Sequence, residues 1–124
     1  MKTILIVEDN DKNMKLARDI LQARGYATLE AVNGLDGVRL ALAHKPDLVL
    51  MDIQLPDING IEAFGRIRAH ADTASVPIVA FTASVMSNDR NRITDAGFDG
   101  FIGKPINLKE FLATVARVIK GQGA

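Results

Sequence analysis

The chain of 124 residues has no cysteine. That excludes a disulfide framework, a cysteine nucleophile and a thiolate metal site, and it fits a reducing cytoplasm. Aromatics are scarce at 5% of residues. Net charge is missing as well: fifteen basic and fifteen acidic residues cancel. No strong field therefore points toward nucleic acid or an anionic membrane surface. Long hydrophobic runs are also lacking. The opening "MKTILIVEDN" has the look of a secretory leader, but its apolar run ends at Val7. That is short of the ~7–15 residues such a leader needs, and Glu8, Asp9 and Asp11 follow at once. No segment approaches the ~20 apolar residues of a membrane span.

What the chain does have is aliphatic. Almost half of it is hydrophobic, 48%, enough for one core without metal or disulfide staples. Five short apolar runs punctuate it: "TILIV" at 3–7, "ATLEA" at 27–31, "LVLM" at 48–51, "PIVAF" at 77–81 and "GFI" at 100–102. Three of them are apolar on both faces of the pleat, as interior strands of a covered parallel sheet are. "ATLEA" alternates and reads as an edge.

Helical periodicity fills the gaps. The expected stripes are Met14, Ala17, Ile20 and Leu21; Leu35, Val38 and Leu42; Ile61, Phe64 and Ile67; and Leu108, Phe111, Leu112, Val115 and Ile119. Asn33, Asn59 and Asn107 each stand three before an acid, an N-cap arrangement. Gly25 and Gly97 suit left-handed C-cap positions. The fourth helix, "SVMSNDRNRITDAG", keeps an apolar line through Val85, Ile93 and Ala96 but is otherwise polar, so few core contacts hold it. Strand–helix alternation repeated five times predicts an α/β fold: a doubly wound, five-stranded parallel sheet of order 2-1-3-4-5 with five helices.

Ligands in such folds bind beyond the carboxyl ends of the strands, where the winding reverses. Here that point lies between strands one and three. Glu8 and Asp9 follow strand one, Asp52 ends strand three, Thr82 ends strand four and Lys104 follows strand five. Two carboxylates 4 Å apart repel by about 4 kcal/mol at an effective dielectric near 20. A hard divalent cation with oxygen ligands offsets that, and Mg²⁺ is the natural choice. Asp52 then becomes a candidate nucleophile toward phosphorus, with Lys104 opposite the metal and the Thr82 hydroxyl as a donor to a phosphate oxygen.

Those blocks, "ILIVEDN", "LVLMDIQLPDINGIE", "PIVAFTA" and "FIGKPI", with the spacing between them, closely resemble the receiver domain of two-component response regulators (flavodoxin-like, CheY-like). The resemblance covers the full chain and implies a role for each residue. Asp52 is the phosphoacceptor, Glu8 and Asp9 are the acidic pair with Asp9 the direct Mg²⁺ ligand, and Gln54 lends the metal a backbone carbonyl. Mn²⁺ can stand in for Mg²⁺. Thr82 is the switch hydroxyl, Phe101 the aromatic switch residue and Lys104 the phosphate-contacting lysine, with a cis bond expected at Lys104–Pro105. The wording of "NDKNMKLARDILQARGY" and "MDIQLPDINGIE" is most similar to the stand-alone DivK-type regulators of cell division. Glu8 replaces the family's commoner Asp, and Phe101 replaces a frequent Tyr. Gln54 occupies a position expected to influence dephosphorylation.

The chain stops at Ala124, soon after the fifth helix, so a single receiver domain, 1–124, without an output domain is expected. The resemblance implies phosphorylation by a histidine kinase or a histidine phosphotransfer protein. It also implies output to a protein effector through the face of helix four, strand five and helix five, with Val85 and Met86 as candidate anchors. A monomer or weak dimer, cytoplasmic, with no nucleic acid or membrane partner and no activity beyond its own phosphorylation and dephosphorylation, completes the expectation. His44, near the end of helix two, and His70, in a polar loop, have no metal-ligand spacing. A haloacid-dehalogenase-type phosphatase would need an Asp where Gln54 stands. A flavodoxin-like nucleotide carrier would need a phosphate cradle where "EDND" stands.

Overall fold

Local signals start and stop each element. The computed structural model describes residues 2–82 and 87–122, with side chains for 2–82 and 91–119. Its strands are β1 (Thr3–Val7), β2 (Ala27–Ala31), β3 (Leu48–Asp52), β4 (Ile78–Thr82) and β5 (Gly100–Gly103). Its helices are α1 (Asp11–Ala23), α2 (Gly34–His44), α3 (Gly60–Arg68), α4 (Ser87–Ala96) and α5 (Leu108–Gln122), with one 3-10 turn at Ala71–Thr73. Asn33, Asn59 and Asn107 cap as expected, their side-chain oxygens accepting from Asp36 N (2.8 Å), Glu62 N (2.8 Å) and Glu110 N (3.0 Å). Asn10 does the same for α1, accepting from Asn13 N at 3.0 Å. Gly25 and Gly97 carry positive φ (87° and 101°), the region a side chain strains. α2 ends instead on Lys45 at φ 47°, which no sequence signal marked.

The strands pair in parallel in the order β2-β1-β3-β4-β5. The pleat sends alternate residues to opposite faces. Ile4, Ile6, Leu48, Leu50, Val79 and Phe81 pack with Met14, Leu21, Phe111 and Val115 of α1 and α5. Leu5, Val7, Val49, Met51 and Ile78 pack with Ala41, Ala63, Phe64 and Ile67 of α2 and α3. β3 and β4 are buried along their whole length, as a doubly covered sheet requires. β2 is an edge and is only partly buried until Ala31.

Two expectations change. The fully buried residues of α2 are Gly34, Gly37 and Ala41; of the expected stripe, Val38 packs against the core only partly buried, Leu42 is half-buried and Leu35 is 48% exposed. The reason is distance. A β-carbon on Gly37 would lie 2.8 Å from Val7 Cγ2, and one on Gly34 would lie 2.5 Å from Ile58 Cγ1, so at those two positions α2 sits too close to admit a larger side chain. Leu108 leaves the apolar face of α5 and is exposed, while Phe111, Val115 and Ile119 hold it. In α4, Ile93 is buried and Ala96 half-buried, whereas Val85 and Met86 lie outside the described residues.

Candidate functional site

Four of the five strand ends bring chemistry to one crevice. β1 lies between β2 and β3, so the winding reverses at β1/β3 and the crevice opens there. Asp52 continues the row of Leu48 and Leu50, and burial carries it to the rim with only 4% exposed. Glu8, just past β1, is fully buried, its backbone N donating to Ala31 O at 3.0 Å. Asp9 is exposed. Glu8, Asp9 and Asp52 each offer a carboxylate oxygen, all within 4.8 Å of one another.

Lys104 closes the site from β5. Its Nζ donates to Asp52 Oδ2 at 3.0 Å, forms an ion pair with Glu8 Oε1, and stands 4.8 Å above the Phe81 ring. Its backbone N donates to the carbonyl of Thr82 at 3.0 Å, which joins the ends of β4 and β5, and the Lys104–Pro105 bond is cis. Thr82 is fully buried at the same rim. Gln54 is exposed, and its N–H reaches Asp52 Oδ1 at 3.1 Å. Phe101 is set apart. It is half-buried in β5 opposite Ala80, two register steps back from the Thr82–Gly103 pair.

The electrostatics suit a cation. Burial, and then the neighbouring Asp52 carboxyl, push the Glu8 carboxyl up to about 7, against the opposing pull of Lys104 and the Asn10 N–H. Glu8 Oε1 is buried, and the Lys104 ammonium is the partner it has. An all-oxygen set of three carboxylates, two of them facing one ammonium, with their oxygens within 4.8 Å of one another, fits a hard divalent ion such as Mg²⁺. Beside it, a cavity of about 370 Å³ lined by Ile53, Gln54, Asn59, Thr82 and Arg92 gives an incoming group room to approach.

Sequence reasoning missed two neighbours of this cluster. Gly60, at the start of α3, backs directly onto the Asp52 main chain, with its N donating to Ile53 O at 2.9 Å. Asp57 accepts from Gly34 N and Leu35 N at 2.7 and 2.8 Å. The "NG" pair at 59–60 could have flagged the first. Nothing local flags the second, because its partners lie 23 and 22 residues away.

Comparison with known proteins agrees with this geometry. A sequence model of the response regulator receiver domain matches residues 4–116. The polar-differentiation response regulator DivK of Brucella anthropi is 43% identical over 114 residues, 92% of this chain and 93% of that one. A putative response regulator from Chloroflexus aurantiacus superposes with a TM-score of 0.91 at 27% identity, covering 96% of this chain and 98% of that one. The receiver domain of a Pseudomonas aeruginosa sensor histidine kinase superposes with a TM-score of 0.89 at 34% identity and the same coverage. Its structure holds a magnesium ion coordinated in the active-site cleft.

Proposed function

The chain belongs to the response regulator receiver domain family, and from that premise we propose that it is a phosphoaccepting module of a two-component phosphorelay, with Asp52 as acceptor. One observation carries this reading. Asp52 ends a wholly buried strand among the Glu8 and Asp9 carboxylates, with its Oδ2 3.0 Å from the Lys104 ammonium.

The step is a displacement at phosphorus. An Asp52 carboxylate oxygen forms the new P–O bond as the P–N bond of a phosphohistidine breaks, and the imidazole leaves with the bonding pair. The donor is a histidine kinase or a histidine phosphotransfer protein. Mg²⁺, or Mn²⁺ in its stead, would be held by Asp9, Asp52 and the Gln54 backbone carbonyl, with Glu8 completing the acidic set, and would supply charge neutralisation at the transferring oxygens. Lys104 balances charge on the opposite side of Asp52 and donates to a phosphoryl oxygen. The Thr82 hydroxyl donates to another, and its movement is followed by the Phe101 ring. Gln54's exposed side chain tunes hydrolysis of the aspartyl phosphate.

On this reading residues 1–124 act as one receiver domain in the cytoplasm, monomeric or weakly dimeric. It catalyses only its own phosphorylation and dephosphorylation. Output passes to a protein effector over the α4–β5–α5 face. The likeness to DivK supports a role in cell division. The test is Asp52→Asn, a near-isosteric change that removes the nucleophile. The wild type takes label from a phosphorylated kinase and the variant takes none; label persisting on another residue refutes the assignment. Beryllofluoride with Mg²⁺ should shift the Thr82 and Phe101 amides as well as those near Asp52. A change confined to Asp52 refutes the switch.

A further inference from the structure

The loop after Asp52, residues 53–59, is tied down at three points. At its start Gln54 N donates to Asp52 Oδ1 at 3.1 Å. At its end Gly60 N donates back to Ile53 O at 2.9 Å. The third tie is Asp57, mid-loop, and it reaches outside the loop altogether. Its Oδ1 accepts from Gly34 N at 2.7 Å and its Oδ2 from Leu35 N at 2.8 Å.

Those are the first two N–H groups of α2. The helix's own cap, Asn33, serves a different one, Asp36 N. Orphan donors at a helix start need acceptors, and here a carboxylate from another segment completes the set. The two segments are also in close contact. A β-carbon on Gly34 would lie 2.5 Å from Ile58 Cγ1 and 3.1 Å from Ile58 O, so neither can shift toward the other. Partial desolvation pushes the Asp57 carboxyl up, but the N–H groups of Leu35, Gly34 and Ile58 outweigh it and hold the group below the ordinary aspartate value. Asp57 has no part in the phosphoryl chemistry, and α2 already has a capping residue. What both carboxylate oxygens achieve together is to fix the middle of a loop whose first residues serve Asp52.

We propose that Asp57 is a positioning residue for the acidic site: by clamping loop 53–59 to the N-terminus of α2, it holds the Gln54 backbone where it serves Asp52 and a bound cation. The cation's place rests on the phosphoaccepting reading; the clamp rests on hydrogen bonds and packing alone. Groups that orient a metal ligand from behind alter affinity about 10–100-fold when removed. The clamp acts through a loop held at two other points, so the effect belongs at the low end.

Three variants separate positioning from plain stability. Asp57→Ala removes both acceptors, Asp57→Asn keeps one oxygen as the conservative rescue, and Asn33→Ala removes the other cap of the same helix without touching the loop. The probe is MgCl₂, titrated into unphosphorylated protein and followed by amide shifts, with Gly34 and Leu35 reporting the clamp. Asp57→Ala weakens Mg²⁺ binding about tenfold, and Asp57→Asn weakens it less. Asn33→Ala leaves binding within about twofold, although it too costs stability. The proposal is overturned if Asp57→Ala shifts the Gly34 and Leu35 amides yet leaves Mg²⁺ affinity within about twofold of wild type. It is equally overturned if Asn33→Ala weakens binding as much as Asp57→Ala, because α2 stability alone would then explain both. Failure of the phosphoaccepting reading has a different signature: wild-type protein that takes no label on Asp52, with the Mg²⁺ comparison among these variants unaffected.

Discussion

Alanine at Gly60 would press against the main chain of the proposed acceptor. Gly60 is buried at the start of α3, and its added β-carbon would stand inside contact distance of the Asp52 carbonyl oxygen. It would also lie 2.8 Å from Ile53 Cα and 2.9 Å from the Asp52 carbonyl carbon. Carbon atoms in contact prefer ~3.5–4.0 Å, so the two backbones must part by about 0.6 Å or more. No flexible side chain is available to yield. Overpacking of this kind costs about 1–3 kcal/mol. Opening the gap also strains the 2.9 Å bond from Gly60 N to Ile53 O, a bond worth about 0.5–1.5 kcal/mol. Alanine's helical advantage of up to about 1 kcal/mol applies to helix interiors and is smaller at the first residue. The net expectation is a loss of about 2–3 kcal/mol, with slower phosphoryl acceptance because Asp52 is displaced. Gly65, on the same helix, is exposed and its β-carbon would meet nothing within 4 Å. There alanine should gain about 0.5–1 kcal/mol. Urea denaturation at unchanged m-value reads both, and at roughly 4 °C per kcal/mol the melting points should diverge by about 10 °C or more. A Gly60→Ala protein within about 0.5 kcal/mol of wild type, or a Gly65→Ala protein equally damaged, would refute the packing argument.

In metal-free buffer with chelator, Glu8 should make stability fall as pH rises. Its carboxyl sits at about 7 against an ordinary 4.5, so the folded state holds the proton more tightly than the unfolded chain. That contribution, on the order of 3 kcal/mol, is full below the unfolded value and lost as pH rises through about 7. Urea midpoints between about pH 5 and 8 should show the fall in wild type and lose it in Glu8→Gln; a flat wild-type profile contradicts the assignment. Lys104→Met leaves the buried Glu8 and Asp52 carboxylates without their ammonium partner and should cost roughly 2–4 kcal/mol in the metal-free protein. The same change should tighten Mg²⁺ binding, because the ion no longer competes with a fixed cation, and weaker binding in a titration would count against that geometry.

Much of the fold was legible because its signals are local. Apolar runs of strand length, three asparagine caps and two left-handed glycines each depend on a few neighbouring residues, and each holds in the structure. The residues of the crevice were legible for the same reason: Asp52, Thr82 and Lys104 are polar groups at the ends of apolar runs. The α2 stripe was misread because hydrophobicity favours the largest apolar side chains, Leu35, Val38 and Leu42. The helix instead comes closest to Val7 and Ile58 at Gly37 and Gly34, where no larger side chain fits, and Val38 is left only partly buried. Distance between elements is not written in periodicity.

By itself, then, the sequence determined the order of elements, the parallel sheet and the set of polar groups at its carboxyl edge. Strand length, capping and pleat alternation all act over a few residues. Only the tertiary structure decided how those groups meet. It buries Glu8 while leaving Asp9 exposed, sets the Lys104 ammonium against both Glu8 and Asp52, and joins Asp57 to the start of α2 across more than twenty residues. Those outcomes depend on which surfaces the crossovers bring together and how closely they pack. The charge state of Glu8 and the placement of the loop after Asp52 follow from that packing.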